Sequence, residues 1–218
     1  LLFVGTELGV YMSIDAGLTW NALKNGLPTQ PIHDLKVHPR DRDLIAASHG
    51  RGLFIADISP LEELSAQVLA EDVHLFSVEP KIRWLPGLDR NSSSSNYLGE
   101  SEPAGAVFYY TLKSKPKAET VARVYKGNML ISEFKAPAEA GLNKAAWDMT
   151  VRRALSEEEK KARLEQMRRL QETGASGGQV DSNYAYSPAG DGLYRLVLTV
   201  DGKEATARVE IKEEATRE

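Results

Sequence analysis

Ser13, Asp15 and Thr19 place a carboxylate and two hydroxyls, groups that can do chemistry, within seven positions near the start of the chain. They stand in the order Ser13-Ile-Asp15-Ala-Gly17-Leu-Thr19-Trp20. A carboxylate flanked by two hydroxyls can act as a base, a ligand or a turn former. The surrounding residues point to the turn. An Asp side chain accepts hydrogen bonds from backbone amides that follow it, in an Asx-type turn. Gly17 can take a positive φ that other residues avoid. Thr19 is β-branched and is expected to begin the return strand, where such residues fit. Trp20 supplies a large apolar ring to cover the hairpin, and its N–H needs one partner. Asp15 is therefore read as spent on its own backbone, and no catalytic role is assigned to it.

The second candidate is His49-Gly50-Arg51-Gly52. His49 and Arg51 have the chemistry to face an anionic ligand. Two glycines around an arginine also describe a tight, solvent-facing bend. The stretch matches neither a phosphate loop nor a metal motif, so the bend is preferred. Asp34, Asp41, Asp43 and Asp57 fall in turns or at strand ends, where Asp is expected, and no carboxylate pair of the glycosidase type emerges. Trp84 beside Arg83 can stack on a sugar, but packing at a domain seam is the preferred reading. No catalytic residue, no metal site and no cofactor is predicted.

An internal repeat governs the first third. Leu2-Phe-Val-Gly-Thr6 followed by Gly9-Val-Tyr-Met-Ser13 matches Leu44-Ile-Ala-Ala-Ser48 followed by Gly52-Leu-Phe-Ile-Ala56. The two glycines lie 52 − 9 = 43 positions apart. A period of ~40–45 residues with short strands is that of a propeller blade. Strands are expected from Leu1 to Leu23 and then near Ile32–His38, Leu44–Ser48 and Leu53–Ile58, the second set following the turn Arg40-Asp-Arg-Asp43. A helix is expected from Ser59 to Ala70, capped by Ser59, with Leu61, Leu64, Val68 and Leu69 on one face. Val73–Val78 alternates as a strand and is assigned to the end of the first domain. Residues 79–104 read as a linker, with the polar run Asn91-Ser-Ser-Ser-Ser-Asn96.

From Gly105 the pattern is of short strands and turns. Thr120–Tyr125 and Met129–Phe134 flank Lys126-Gly127-Asn128 as a hairpin. Asp201-Gly202 joins Gly192–Val200 to Glu204–Lys212 in a two-stranded ribbon. Strands at this spacing argue for an antiparallel sandwich. A polar insertion, 155–179, interrupts it. Ser156-Glu-Glu-Glu159 forms a capping box, and Glu157–Glu172 reads as a helix with a weak apolar stripe of Leu164, Met167 and Leu170. Arg152, Arg153, Arg168 and Arg169 have the charge for a basic partner face, but a solvated helix is preferred.

The box at Ser13–Trp20, the Val37-His-Pro39 turn and His49-Gly-Arg-Gly-Leu-Phe54 together resemble the last blades of BNR/Asp-box, sortilin-like β-propellers. That group includes bacterial secreted proteins and xyloglucanase-type glycoside hydrolases. The set Gly141-Leu-Asn143, Trp147-Asp148 and Gly190 to Tyr194 resembles the FlgD-type immunoglobulin-like domain, in which the tryptophan packs into the core and the glycine turn begins a long strand. The resemblances imply an all-β chain: last propeller blades over 1–78, then an immunoglobulin-like β-sandwich over 105–214 with a helical insertion at 155–179. In such propellers the boxes sit on the outer rim, so Ser13, Asp15, Gly17, Thr19 and Trp20 are expected to be structural.

Composition sets wider limits. A length of 218 residues holds one large domain or two modest ones. The net charge of −4 leaves no footprint for nucleic acid. No apolar run approaches the ~20 residues that span a bilayer. With 0 cysteines there is no disulfide framework and no thiolate metal site. The resemblance implies a C-terminal piece of a longer, extracellular or periplasmic protein. Its expected partners are the remaining N-terminal blades or another chain that completes the propeller, with a glycan or peptide as ligand. The expected role is a binding or scaffold module. The alternative is the non-catalytic end of a glycoside hydrolase, xyloglucanase- or sialidase-like, whose carboxylates lie in other blades.

Overall fold

Short strands build most of the chain in the computed structural model, which describes residues 1–24, 26–50, 52–83, 105–172 and 183–213. The first two sheets follow the repeat. Leu2–Thr6 (β1), Gly9–Ser13 (β2) and Asn21–Leu23 (β3) form one antiparallel sheet in that order. Ile32–Val37 (β4), Asp43–Ser48 (β5) and Gly52–Asp57 (β6) form the next. Side chains alternate across a strand, so each sheet has an inner and an outer face. Val10, Ile32, Leu44, Ala46 and Ile58 meet between the two sheets, with Phe3, Leu23, Leu35 and Phe54 packed around them. Gly5 makes the approach of β1 to β4 workable: a Cβ there would lie 3.0 Å from both Ile32 Cγ2 and the Ile32 carbonyl oxygen.

The helix expected over Ser59–Ala70 is two helices, Ser59–Glu62 (α1) and Ala66–Ala70 (α2). Ser59 is not the cap. Ile58 holds that place without a side-chain bond. Ser65 is extended (φ −143°, ψ 167°), and its hydroxyl accepts from the Val68 amide at 3.2 Å. A serine that bonds a following amide starts a helix rather than continuing one, which is why the chain breaks there.

Two segments change allegiance relative to the sequence-based expectation. Val73–Leu75 (β7) pairs antiparallel with Ala106–Leu112 (β9), not with the repeat sheets. Lys81–Arg83 (β8), inside the stretch read as linker, pairs in parallel with Lys203–Glu213 (β16). Val73, Leu75 and Val78 serve the second core, so burial of apolar side chains draws the segment over. Trp84 and Asn91–Asn96 lie outside the described residues.

The second region has two sheets around one core. Val121–Lys126 (β10), Met129–Lys135 (β11) and Gly192–Val200 (β15) join β16 and β8 in the order β11-β10-β15-β16-β8. Gly141–Trp147 (β12), β9 and β7 form the other sheet. Phe108 and Tyr110 from β9, Trp147 from β12, and Tyr194, Leu196 and Leu198 from β15 are buried together. Trp147 lies 5.1 Å from Tyr194 between ring centroids and donates its Nε1–H to the Thr150 carbonyl at 3.2 Å. Asn143, also buried, donates to the Glu139 and Gly141 carbonyls and accepts from the Glu139 amide, which pins the bend before β12. Asp201 and Gly202 both have positive φ (47° and 80°), the requirement of a type I′ hairpin turn.

A ribbon of Thr150–Ala154 (β13) and Tyr184–Pro188 (β14) stands beside these sheets, with the helix Glu157–Glu172 (α3) after β13. The expected capping box is made in both directions: Ser156 N–H donates to Glu159 Oε2 at 2.8 Å, and Glu159 N–H donates to Ser156 Oγ at 3.2 Å. The apolar stripe is less effective. Leu164 is exposed, and the side chains of Met167 and Leu170 lie outside the described residues. Arg163 ties the helix to the ribbon through the Tyr184 carbonyl at 3.1 Å. Several β-sheets, none closed on itself among the described residues, thus make the chain mostly β.

Candidate functional site

The Ser13–Trp20 turn is closed by its own side chains. Asp15 Oδ1 accepts from the Thr19 amide at 2.9 Å and from the Ser13 hydroxyl at 2.7 Å. Asp15 Oδ2 accepts from the Thr19 hydroxyl at 2.6 Å. Ser13, fully buried, in turn accepts from the Gly17 amide at 2.8 Å. Trp20 donates its Nε1–H to the Gly17 carbonyl at 3.1 Å, the one partner it needs. The turn passes through two residues of positive φ, Ala16 (59°) and Gly17 (95°). Thr19 is not in the return strand, which begins at Asn21. Its hydroxyl and amide are both used by Asp15, and two bonds to one carboxylate hold it in the turn.

These donors set the charge of the site. The Thr19 hydroxyl, then the Thr19 amide, then the Ser13 hydroxyl hold Asp15 down to a pKa of about 2. Hydrogen bonds to the charged form favour ionisation. A general base or acid near neutral pH needs the opposite tuning. Both oxygens of Asp15 are occupied by its own turn, so the carboxylate works as a fastening.

His49 is exposed and stacks on His33, with ring centroids 4.8 Å apart and the planes 30° from parallel. Its amide donates to the Pro31 carbonyl at 3.0 Å, which extends the pairing of β5 with β4, and the Ser48 hydroxyl donates to the Gly52 carbonyl at 2.8 Å across the bend. Arg51 lies outside the described residues, so only the His49 half of that candidate pair has a place. The His33 stack was not legible in the sequence, because a bulge between Ile32 and Asp34 in β4 brings the two rings together.

The aspartates of the repeat are likewise engaged locally. Asp41 accepts from Arg40 at 2.7 and 2.9 Å, and that guanidinium lowers its pKa. Asp57 accepts from the Ser59 amide and Asp34 from the Leu35 amide. Among the described residues no group of three or more His, Asp or Glu is placed to hold a metal ion. One structural anchor is not visible in the sequence pattern. Arg42, at φ 55°, donates to Glu62 at 2.5 Å, to Glu79 at 3.4 Å and to the Ser59 carbonyl at 3.1 Å. It clamps the connector to the repeat through partners as far as 37 positions away, a spacing that sequence patterns do not reveal.

The outer faces of the two repeat sheets both carry exposed apolar side chains. Leu2 and Val4 are exposed on the first, and Leu53 (69% exposed) and Ile55 (67%) on the second. These positions are related by the repeat. Leu2, Val4 and Tyr11 match Leu44, Ala46 and Phe54, which face inward on the second sheet. Val10 and Met12 match Leu53 and Ile55, and Val10 faces inward on the first sheet. The faces buried at the centre of the stack are therefore the same two kinds of face that lie open at its ends. β1 is an edge strand, whereas its repeat partner β5 is paired on both sides.

Comparison of the chain with protein-family models, with curated proteins and with solved structures found no match.

Proposed function

We propose that the two repeat sheets are neighbouring blades of an Asp-box, sortilin-like β-propeller, and that the chain serves as a non-catalytic binding and scaffold module. One observation carries this reading: the open outer faces repeat, position for position, the two faces that pack together between the sheets. A stack built this way has room for a further copy at each end, and repeated blades in a ring satisfy both ends at once. The blades would come from N-terminal repeats or from another chain, and the assembled propeller would present the glycan or peptide face. An extracellular or periplasmic location goes with this reading.

The second region is read as an immunoglobulin-like sandwich of the FlgD type. The buried Trp147 and the bond from the Tyr194 hydroxyl back to the Gly190 carbonyl support it. Support for a non-catalytic role comes from the carboxylates. Asp15, Asp41, Asp72, Glu159 and Asp201 are all held below the ordinary range by local hydrogen bonds or a neighbouring cation.

Sedimentation velocity tests the blade reading. The 218-residue chain alone is expected to self-associate with rising concentration, because exposed apolar sheet faces and an open edge seek partners. The double variant Leu53→Lys, Ile55→Lys is expected to sediment as a monomer with an unchanged circular dichroism spectrum. A parent chain that stays a well-folded monomer and binds no hydrophobic dye overturns the reading.

A further inference from the structure

A cleft of about 280 Å³ opens where the β13–β14 ribbon lies against the edge strand β11. It is remote in sequence from the Asp15 turn and independent of the blade reading. Three of its lining residues share one ribbon face: Arg152 and Tyr186 are register partners, and Thr150 is two positions from Arg152 on the same strand. Ser132 and Glu133 line it from β11, and Asp148 from the turn after β12.

The charges in the cleft are arranged unequally. Glu133 is tied to Arg123 at 2.6 Å and is neutralised by it. Asp148 receives the Thr150 amide at 3.0 Å and hydroxyl at 2.7 Å, both on Oδ1, which leaves Oδ2 with acceptor capacity. Arg152 sits over the Tyr184 ring, its guanidinium carbon 3.8 Å from the centroid. A stacked guanidinium keeps its N–H edge for in-plane acceptors. Tyr186 is 53% exposed and offers an aromatic surface.

An anionic ligand here would meet Asp148, and a cationic one would meet Arg152. A neutral ligand rich in hydroxyls can donate to Asp148 and accept from Arg152 together, and lay an apolar C–H face on Tyr186. The volume falls just below the ~300–1,000 Å³ of sites for drug-sized ligands, so it suits a single ring. We infer that this cleft is a binding subsite for one neutral saccharide unit, with Arg152, Asp148 and Tyr186 as its contacts.

Saturation-transfer NMR on the full chain tests this, using methyl β-D-glucopyranoside, methyl β-D-galactopyranoside and methyl α-D-mannopyranoside as probes. N-acetylneuraminic acid, glucosamine and triglycine serve as anionic, cationic and peptide comparisons. At least one neutral glycoside is expected to receive saturation with a Kd near ~1 mM. Tyr186→Ala and Arg152→Gln are each expected to weaken it by about tenfold, equivalent to ~1.4 kcal/mol, with circular dichroism unchanged. Ser132→Tyr, a substitution that suits a strand and fills the cleft, is expected to abolish binding even where another variant fails to fold. The inference is overturned if no neutral glycoside receives saturation, if a charged sugar or the peptide is preferred, or if binding survives all three substitutions.

Discussion

Asp15 keeps its negative charge further into acid than a carboxylate in water, because hydrogen bonds from Thr19 and Ser13 favour the ionised form. Its pKa of about 2 lies below the ordinary 3.8. A depressed carboxylate contributes stability that is present above its unfolded pKa and is lost as pH falls through the folded value. The turn is thus expected to hold at neutral pH and to weaken between about pH 4 and pH 2. Carbon-detected NMR titration of Asp15 should give a midpoint near 2, and Thr19→Val should raise it, since the Thr19 hydroxyl is the largest cause. A midpoint near 4 in the parent chain would contradict this account. The residue types of the turn were legible in advance, because Asp, Gly and Thr each have one local use there. The place of Thr19 was not: β-branching favours a strand, but two bonds to one carboxylate outweigh that preference.

At the scale of elements, α3 depends on its first turn. Glu159 is held at a pKa of about 2, first by Arg153 and then by the Ser156 amide. The sign is the same as for Asp15: the contribution of the box is fully present above about pH 4.5 and is lost as pH falls toward 2. Ser156→Ala removes the hydroxyl that receives the Glu159 amide. An N-cap loss of this kind costs ~1 kcal/mol. Amide exchange in the first turn of α3 should therefore quicken about fivefold, with β9 and β15 unaffected. Equal quickening throughout the chain would show that α3 is integral to the core, against the exposure of Leu164. The helix was legible from its box and its composition. The break between α1 and α2 was not, because Leu61, Leu64, Val68 and Leu69 keep helical spacing across it. Ser65 marks a start there only once its hydroxyl is seen to bond Val68.

Across the whole molecule, the second core rests on Trp147 and the chain that passes over it. Trp147 is 1% exposed, and its truncation leaves a large cavity. Trp147→Ala is expected to cost ~3–5 kcal/mol and to lower the unfolding midpoint of β9, β12 and β15 together. Gly105 is the companion test. It has φ 122°, and a Cβ there would sit 2.2 Å from the Trp147 carbonyl oxygen. Gly105→Ala should destabilise the same strands, since backbone must move to admit it. Thermal unfolding followed by far-ultraviolet circular dichroism reads both variants. A midpoint unchanged in either one would remove Trp147 from the centre of this core.

What the sequence alone determined is local and periodic. Alternation of apolar residues, glycines at positive-φ positions and side chains that bond the backbone within four positions act over short range, so the repeat strands, the Asp15 turn, the Asp201-Gly202 hairpin and the α3 cap could be read directly. Tertiary structure decided which sheet each strand joins. Val73–Leu75 and Lys81–Arg83 carry patterns compatible with several partners; Val73 and Leu75 pack on the second core beside β9, whereas Lys81–Arg83 joins β16 by parallel backbone pairing with Ile82 left exposed. It also decided the Arg42 clamp and the cleft between β11 and the ribbon, because groups tens of residues apart meet only when the chain is folded.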